Sequence, residues 1–117
     1  MREICHVTFD GPCITGGATA WGENVDKLRS LQGAIKEGCE AARTKAQQGH
    51  RLALRADFHL SGRRLTLTDV DNMVKVVLDA ALSARQDKLV WKVDAQKLRA
   101  SGKDAEKTEI WFFDLDE

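Results

Sequence analysis

Between Arg51 and Leu60 apolar and polar residues alternate without a slip. Leu52, Leu54, Ala56, Phe58 and Leu60 fall on one side; Arg51, Ala53, Arg55, Asp57 and His59 fall on the other. Successive side chains of a strand point to opposite faces, so the pattern predicts a strand with one buried face and one polar, mostly basic face. Such a strand needs partners in a sheet and a second layer against its apolar side. The rest of the chain has to supply both.

Residues 2–9 read as another strand, with Ile4, His6 and Thr8 alternating with Cys5, Val7 and Phe9. Gly11 and Pro12 then open a Gly-rich loop running to about Gly22. It lacks the Gly-Lys-Ser/Thr ending of a phosphate-binding P-loop. Gly16 and Gly17 leave two readings open, a flexible connection or a backbone contact to phosphate. Asn24 or Asp26 starts a long helix, with Leu28, Leu31, Ile35, Cys39, Ala42 and Ala46 along one face and Gly49 as its terminator. Ser61 to Arg64 reads as a turn. A second helix follows, with Thr68 as its N-cap and Val70, Val74, Val77, Leu78 and Ala81 as its apolar stripe. Lys88 to Leu98 is a third strand, with Leu89, Trp91, Val93 and Ala95 on one face, and Thr108 to Asp114 a fourth. The short Ser101–Asp104 turn between them predicts an antiparallel hairpin. The order β-α-β-α-β-β describes a single α+β domain over residues 1–117: a small mixed four-stranded sheet with two helices packed on it.

A hydrophobic content of 43% with 31% charged residues fits an ordered, soluble globular domain. No apolar run approaches the ~20 residues of a membrane span, and the start lacks a signal-peptide pattern. A cytoplasmic location and no membrane partner are therefore expected. Cys5, Cys13 and Cys39 are odd in number and lack metal-site spacing, so reduced, partly buried thiols are expected and a zinc site is not. The net charge is zero, but it is segregated. Residues 43–64 carry Arg43, Lys45, Arg51, Arg55, Arg63 and Arg64 against Asp57 alone, while Glu109, Asp114, Asp116 and Glu117 make the C-terminus acidic.

The basic stretch leads straight into Asp69, Asp71, Lys75 and Asp79. Asp69 and Asp71 stand two apart at a helix mouth, where their carboxylates can converge; Asp71 and Lys75 stand four apart, one helical turn. Asp at a helix start is ordinary capping chemistry. A second carboxylate so close adds repulsion unless something positive lies nearby, either Lys75 or a hard cation such as Mg²⁺. Spacing alone leaves both readings open. Asp79 is expected to pair with Lys75. Arg51, Arg55, Arg63 and Arg64 are the candidate contacts to nucleic-acid phosphate.

The run Asp69-Val-Asp-Asn-Met-Val-Lys75, then Asp79-Ala-Ala-Leu82, then Asp87-Lys-Leu-Val90, resembles the RusA family of Holliday-junction resolvases. The likeness is specific from about Arg63 to Val90, with Arg63 and Arg64 standing where that family has basic residues ahead of the motif. It implies a Mg²⁺-dependent endonuclease (Mn²⁺ being an alternative ion) that acts as a homodimer and makes paired cuts in a four-way DNA junction. Carried over by residue, it implies Asp69, Asp71 and Asp87 as metal ligands and Lys75 as the catalytic lysine. Two other readings stay open: a catalytically inactive junction-binding protein of the same fold, and a small metal-binding domain acting on nucleotides.

Overall fold

The computed structural model describes residues 1–15 and 22–117. Gly16 and Gly17, the proposed backbone contact to phosphate, lie outside the described residues. Strand β1 (Arg2–Phe9) is followed by helices α1 (Glu23–Gly38) and α2 (Glu40–Gln47) and strand β2 (Leu52–Leu60). Helices α3 (Gly62–Leu67) and α4 (Val70–Ala81) and strands β3 (Val90–Arg99) and β4 (Lys107–Asp114) complete the order. The fold is α+β with a mixed four-stranded sheet, as expected, except that each predicted helical position holds two helices.

The first division falls at Cys39, whose φ of −111° and ψ of 21° interrupt the helical path. Gly38 lies against β1 there: a Cβ at this position would strike Val7 Cγ2. The second division replaces the predicted turn after Ser61. Gly62 takes a φ of +56°, open to glycine, and starts the short α3. Thr68 closes α3, its amide donating to the Arg64 carbonyl at 3.0 Å, so the N-cap position of α4 passes to Asp69.

The strand order is β1-β4-β2-β3, with β4 antiparallel to both neighbours and β3 parallel to β2. The expected β3–β4 hairpin therefore does not form. The connection after β3 passes over the end of β2, where the Ala100 amide donates to the Leu60 carbonyl at 2.8 Å and the Ser61 amide to Glu106 Oε2 at 3.0 Å. Strand β4 then enters on the far side of β2. Both partners of β4 are paired because its alternation is the strongest after that of β2: Thr108, Ile110, Phe112 and Asp114 are all buried.

The predicted helix-facing set of β2 is realised in full, with Leu52, Leu54, Ala56, Phe58 and Leu60 at most 1% exposed. They share one core with Leu31, Ile35, Ala42, Met73 and Val77 of the helices. Within α4 the fully buried positions are Met73, Val77 and Ala81, while the predicted Val70, Val74 and Leu78 flank them half-buried. Trp91 leaves its predicted face. The β2–β3 register slips between Leu52 and Ala53, and Trp91 is 66% exposed.

A candidate metal and phosphate site at the start of α4

Two extended residues, Thr68 (φ −90°, ψ 127°) and Asp69 (φ −81°, ψ 137°), form the elbow between α3 and α4. Lys97 fixes this elbow to the sheet, its Nζ donating to the carbonyls of Leu65 at 2.7 Å and Thr68 at 3.1 Å. An ammonium at the end of α3 satisfies carbonyls that have no intrahelical partner. Hydrogen bonds to a charged group contribute about 1.5–3 kcal/mol. Lys97→Met, which keeps the aliphatic stem, should lower unfolding free energy by about that amount in a urea titration.

Asp69 holds the N-cap position, yet its carboxylate makes no capping hydrogen bond. Asp71 lies in the first turn of α4 and, like Asp69, is exposed. Among the described residues, Asp69, Asp71, Lys75 and Asp79 make no ion pair within 4.0 Å. The expected Lys75–Asp79 pair is thus absent. Neither capping nor an ion pair accounts for the two carboxylates at the helix mouth.

A cavity of about 240 Å³ opens beside Asp69, lined in part by Arg63, Arg64, Thr68, Asp69 and Asn72. A second, of about 410 Å³, is lined in part by Asn72, Lys75 and Asp79. Both are bordered by Thr15 and Asn72, so they adjoin along one face of α4. The arginines predicted from the loop and the lysine predicted from the helix therefore flank Asp69 along one depression, whereas Asp71 lines neither cavity.

Asp87 stands elsewhere. Because β2 and β3 are parallel, α4 has to run back along the sheet between them. Its start lies by the end where Leu60 pairs with Arg99, as the Lys97 bonds show. Asp87 begins a 3-10 turn just before β3, at the opposite end where Leu52 pairs with Val90. The intervening helix of 12 residues is about 18 Å long at about 1.5 Å per residue. Within a single chain Asp69 and Asp71 share the start of α4, and Asp87 stands beyond the other end of that helix. Neighbouring Gln86 shapes that turn: its side chain accepts from the Ser83 amide at 2.9 Å and donates to the Arg43 carbonyl at 3.2 Å.

Arg51 and Arg55 also lie apart from Arg63 and Arg64, on the sheet face away from the helices. Arg51 Nη2 reaches Asp116 Oδ1 at 2.6 Å and its guanidinium covers Trp91 at 4.9 Å. Arg55 covers Trp111 at 4.8 Å and approaches Asp57 at 3.5 Å. The charge of Arg51 in particular is already matched within the chain.

A second group was hidden from sequence reasoning by its separation. His50, Asp114 and Asp116 each offer a ligand atom, all within 4.8 Å of one another, and could hold a metal ion. The one local signal is the Asp114-x-Asp116 spacing. Groups of the protein already serve these carboxylates. His50 Nδ1 lies 2.8 Å and Lys45 Nζ 3.8 Å from Asp114 Oδ2, and Arg51 binds Asp116 through backbone and side chain. Asp114 is fully buried, and burial raises its pKa. The Asp116 amide, His50 and Lys45 outweigh this and hold the carboxyl below its ordinary value of 3.8. A carboxyl whose folded pKa is depressed adds stability above its unfolded pKa and loses it as pH falls through the folded value. Thermal stability should therefore fall as pH drops below about 4, and Asp114→Asn should flatten that limb of the pH profile.

Compared with known proteins, the chain matches no family model and no curated protein. Among the described residues no helix is long and apolar enough to cross a membrane.

Proposed function

We propose that this protein is a Mg²⁺-dependent, structure-selective endonuclease that cuts four-way DNA junctions as a homodimer. One observation carries the reading: the Asp69 and Asp71 carboxylates stand exposed at the mouth of α4, Asp69 makes no capping hydrogen bond, and among the described residues neither has an ion pair within 4.0 Å. The Asp69–Lys75 motif and the arginines bordering the cavity support it. Mg²⁺ favours oxygen ligands and is commonly held by one or two carboxylates together with substrate phosphates and water. Asp69 and Asp71 fit that requirement, and Asp87 is not needed for it.

Bound there, Mg²⁺ would supply a Lewis acid for the phosphate and a water of lowered pKa. Asp69 and Asp71 hold that charge at the helix mouth. Lys75, one turn further, offers its ammonium to the oxygens on which negative charge develops. Arg63 and Arg64 seat the flanking phosphates and offset their repulsion from the two acids. Asn72 borders both cavities, between Asp69 in one and Lys75 in the other, where its amide can hydrogen-bond a ligand carboxylate or the backbone of the bound strand.

A synthetic four-way junction, labelled on each strand in turn, tests the reading. Paired, symmetrical cuts that need Mg²⁺ and vanish in EDTA are the expected result, with linear duplex of the same sequence left intact. Junction binding with no cut at any Mg²⁺ or Mn²⁺ concentration would instead establish the inactive junction-binding protein, a reading favoured by the remoteness of Asp87.

The phosphate contacts carry their own expectation. Each one adds about 0.9 to the slope of log affinity against log salt. Arg63→Ala with Arg64→Ala, present twice in a dimer, should weaken junction binding and make its salt dependence visibly shallower. Unchanged slope and affinity would move the DNA surface elsewhere.

A further inference from the structure

The connection between β3 and β4 leaves a hollow of about 750 Å³ beside α3, lined in part by Ser61, Arg63, Arg64, Arg99, Lys103 and Glu106. Among the described residues four cations border it against one carboxylate. That carboxylate is already engaged. Glu106 is buried, and its Oε2 accepts from the Ser61 amide at 3.0 Å and lies 3.6 Å from Arg64 Nε. Arg63, Arg99 and Lys103 are exposed, and among the described residues they make no ion pair within 4.0 Å. A chain of zero net charge thus concentrates unmatched positive charge in one place.

The hollow shares a wall with the candidate metal site. Arg63 and Arg64 border both this hollow and the cavity beside Asp69. The opposite wall comes from a later part of the chain: Arg99 ends β3, and Lys103 begins the 3-10 turn that precedes β4. Neither belongs to the motif around Asp69.

We propose that this hollow is a second phosphate-binding surface, which takes the DNA backbone where it continues past Arg63 and Arg64, with Arg99 and Lys103 as its contacts. The proposal rests on the DNA-junction reading and extends it to residues beyond the acidic motif. A DNA strand carries its charge at every phosphate, so cations set along its path bind it better than a single cluster. Arg99 offers a planar fork to a phosphate, and Lys103 a point charge. Such contacts fix the position of the bound arm and read no sequence. They lie away from the reacting phosphate, so they hold substrate and transition state alike. An acidic peptide would meet the same charge, but the shared arginines join this hollow to a site suited to phosphate.

Anisotropy of a labelled four-way junction, titrated in EDTA at several salt concentrations, tests the proposal with Arg99→Ala combined with Lys103→Ala. Each lost contact should lower the slope of log affinity against log salt by about 0.9. Arg99→Lys with Lys103→Arg keeps both charges and should keep the wild-type slope. With Mg²⁺ present, the alanine variant should lose cleavage through KM rather than kcat. The wild-type protein gives a reading without any variant, since bound junction should shield Lys103 from acetylation. An unaltered slope in the alanine variant, undiminished acetylation of Lys103, or displacement of the junction by polyglutamate as readily as by DNA of equal charge would overturn the proposal. Binding is measured without metal, so a junction bound but never cut refutes the nuclease and leaves this surface standing. Cleavage with an unaltered slope refutes this surface alone, and a wild-type protein that binds no junction refutes both.

Discussion

Asp71→Asn should leave no detectable Mg²⁺-dependent junction cleavage while the folded protein persists. The change is nearly isosteric and falls on an exposed position, so stability should stay within about 1 kcal/mol of the wild type. Junction binding should persist or tighten, because a negative charge beside the phosphates has gone. Lys75→Ala should behave differently in one respect. Its ammonium serves the charge that develops in the transition state, and such a contact is worth about 10²–10³-fold in rate. Raising Mg²⁺ should not restore that loss. Cleavage by purified Asp71→Asn at the wild-type rate would remove the acids from catalysis. Full rescue of Lys75→Ala by Mg²⁺ would reduce the lysine to an organiser of the metal site.

The largest stability effect should come from Phe58→Ala. Phe58 is fully buried on the central strand β2, facing the helices. Truncating a buried phenyl ring removes its transfer free energy and leaves a cavity that a close-packed core fills only in part. The expected cost is about 3–5 kcal/mol, against a total of about 5–15 kcal/mol for a domain of ordinary stability. In a urea titration the midpoint should fall steeply with little change in slope. A loss under about 1 kcal/mol would show that β2 is less central to folding than its burial implies.

The same strand shows which features a sequence makes legible. Its alternation is a local property, set by the period of the pleat and by a core on one side, and every helix-facing residue appears where the pattern puts it. Sheet pairing is not local. The short Ser101–Asp104 segment suits a hairpin, but β2 presents the stronger apolar face and captures β4 along its length, so the segment bridges over β2 instead. Asp87 follows from that topology. It stands close to the helix in sequence, yet a helix joining two parallel strands carries its two termini to opposite ends of those strands. The paired acids were readable because they lie within one helical turn, whereas His50 and Asp114 meet across a sequence separation of 64. Arg51 and Arg55 were readable as an outward face, but their acidic and aromatic neighbours come from β3, β4 and the C-terminus, which local sequence does not reveal.

Among the described residues, the start of α4 and the His50–Asp114–Asp116 group each offer oxygen ligands to a cation, and locating the ion separates them. Crystals soaked in Mn²⁺, which replaces Mg²⁺ and scatters anomalously, should show a peak between the carboxylates of Asp69 and Asp71, lost in Asp71→Asn. A peak confined to His50, Asp114 and Asp116, or no peak at the mouth of α4 with junction DNA bound, would contradict the assignment of this site as the metal centre of a nuclease.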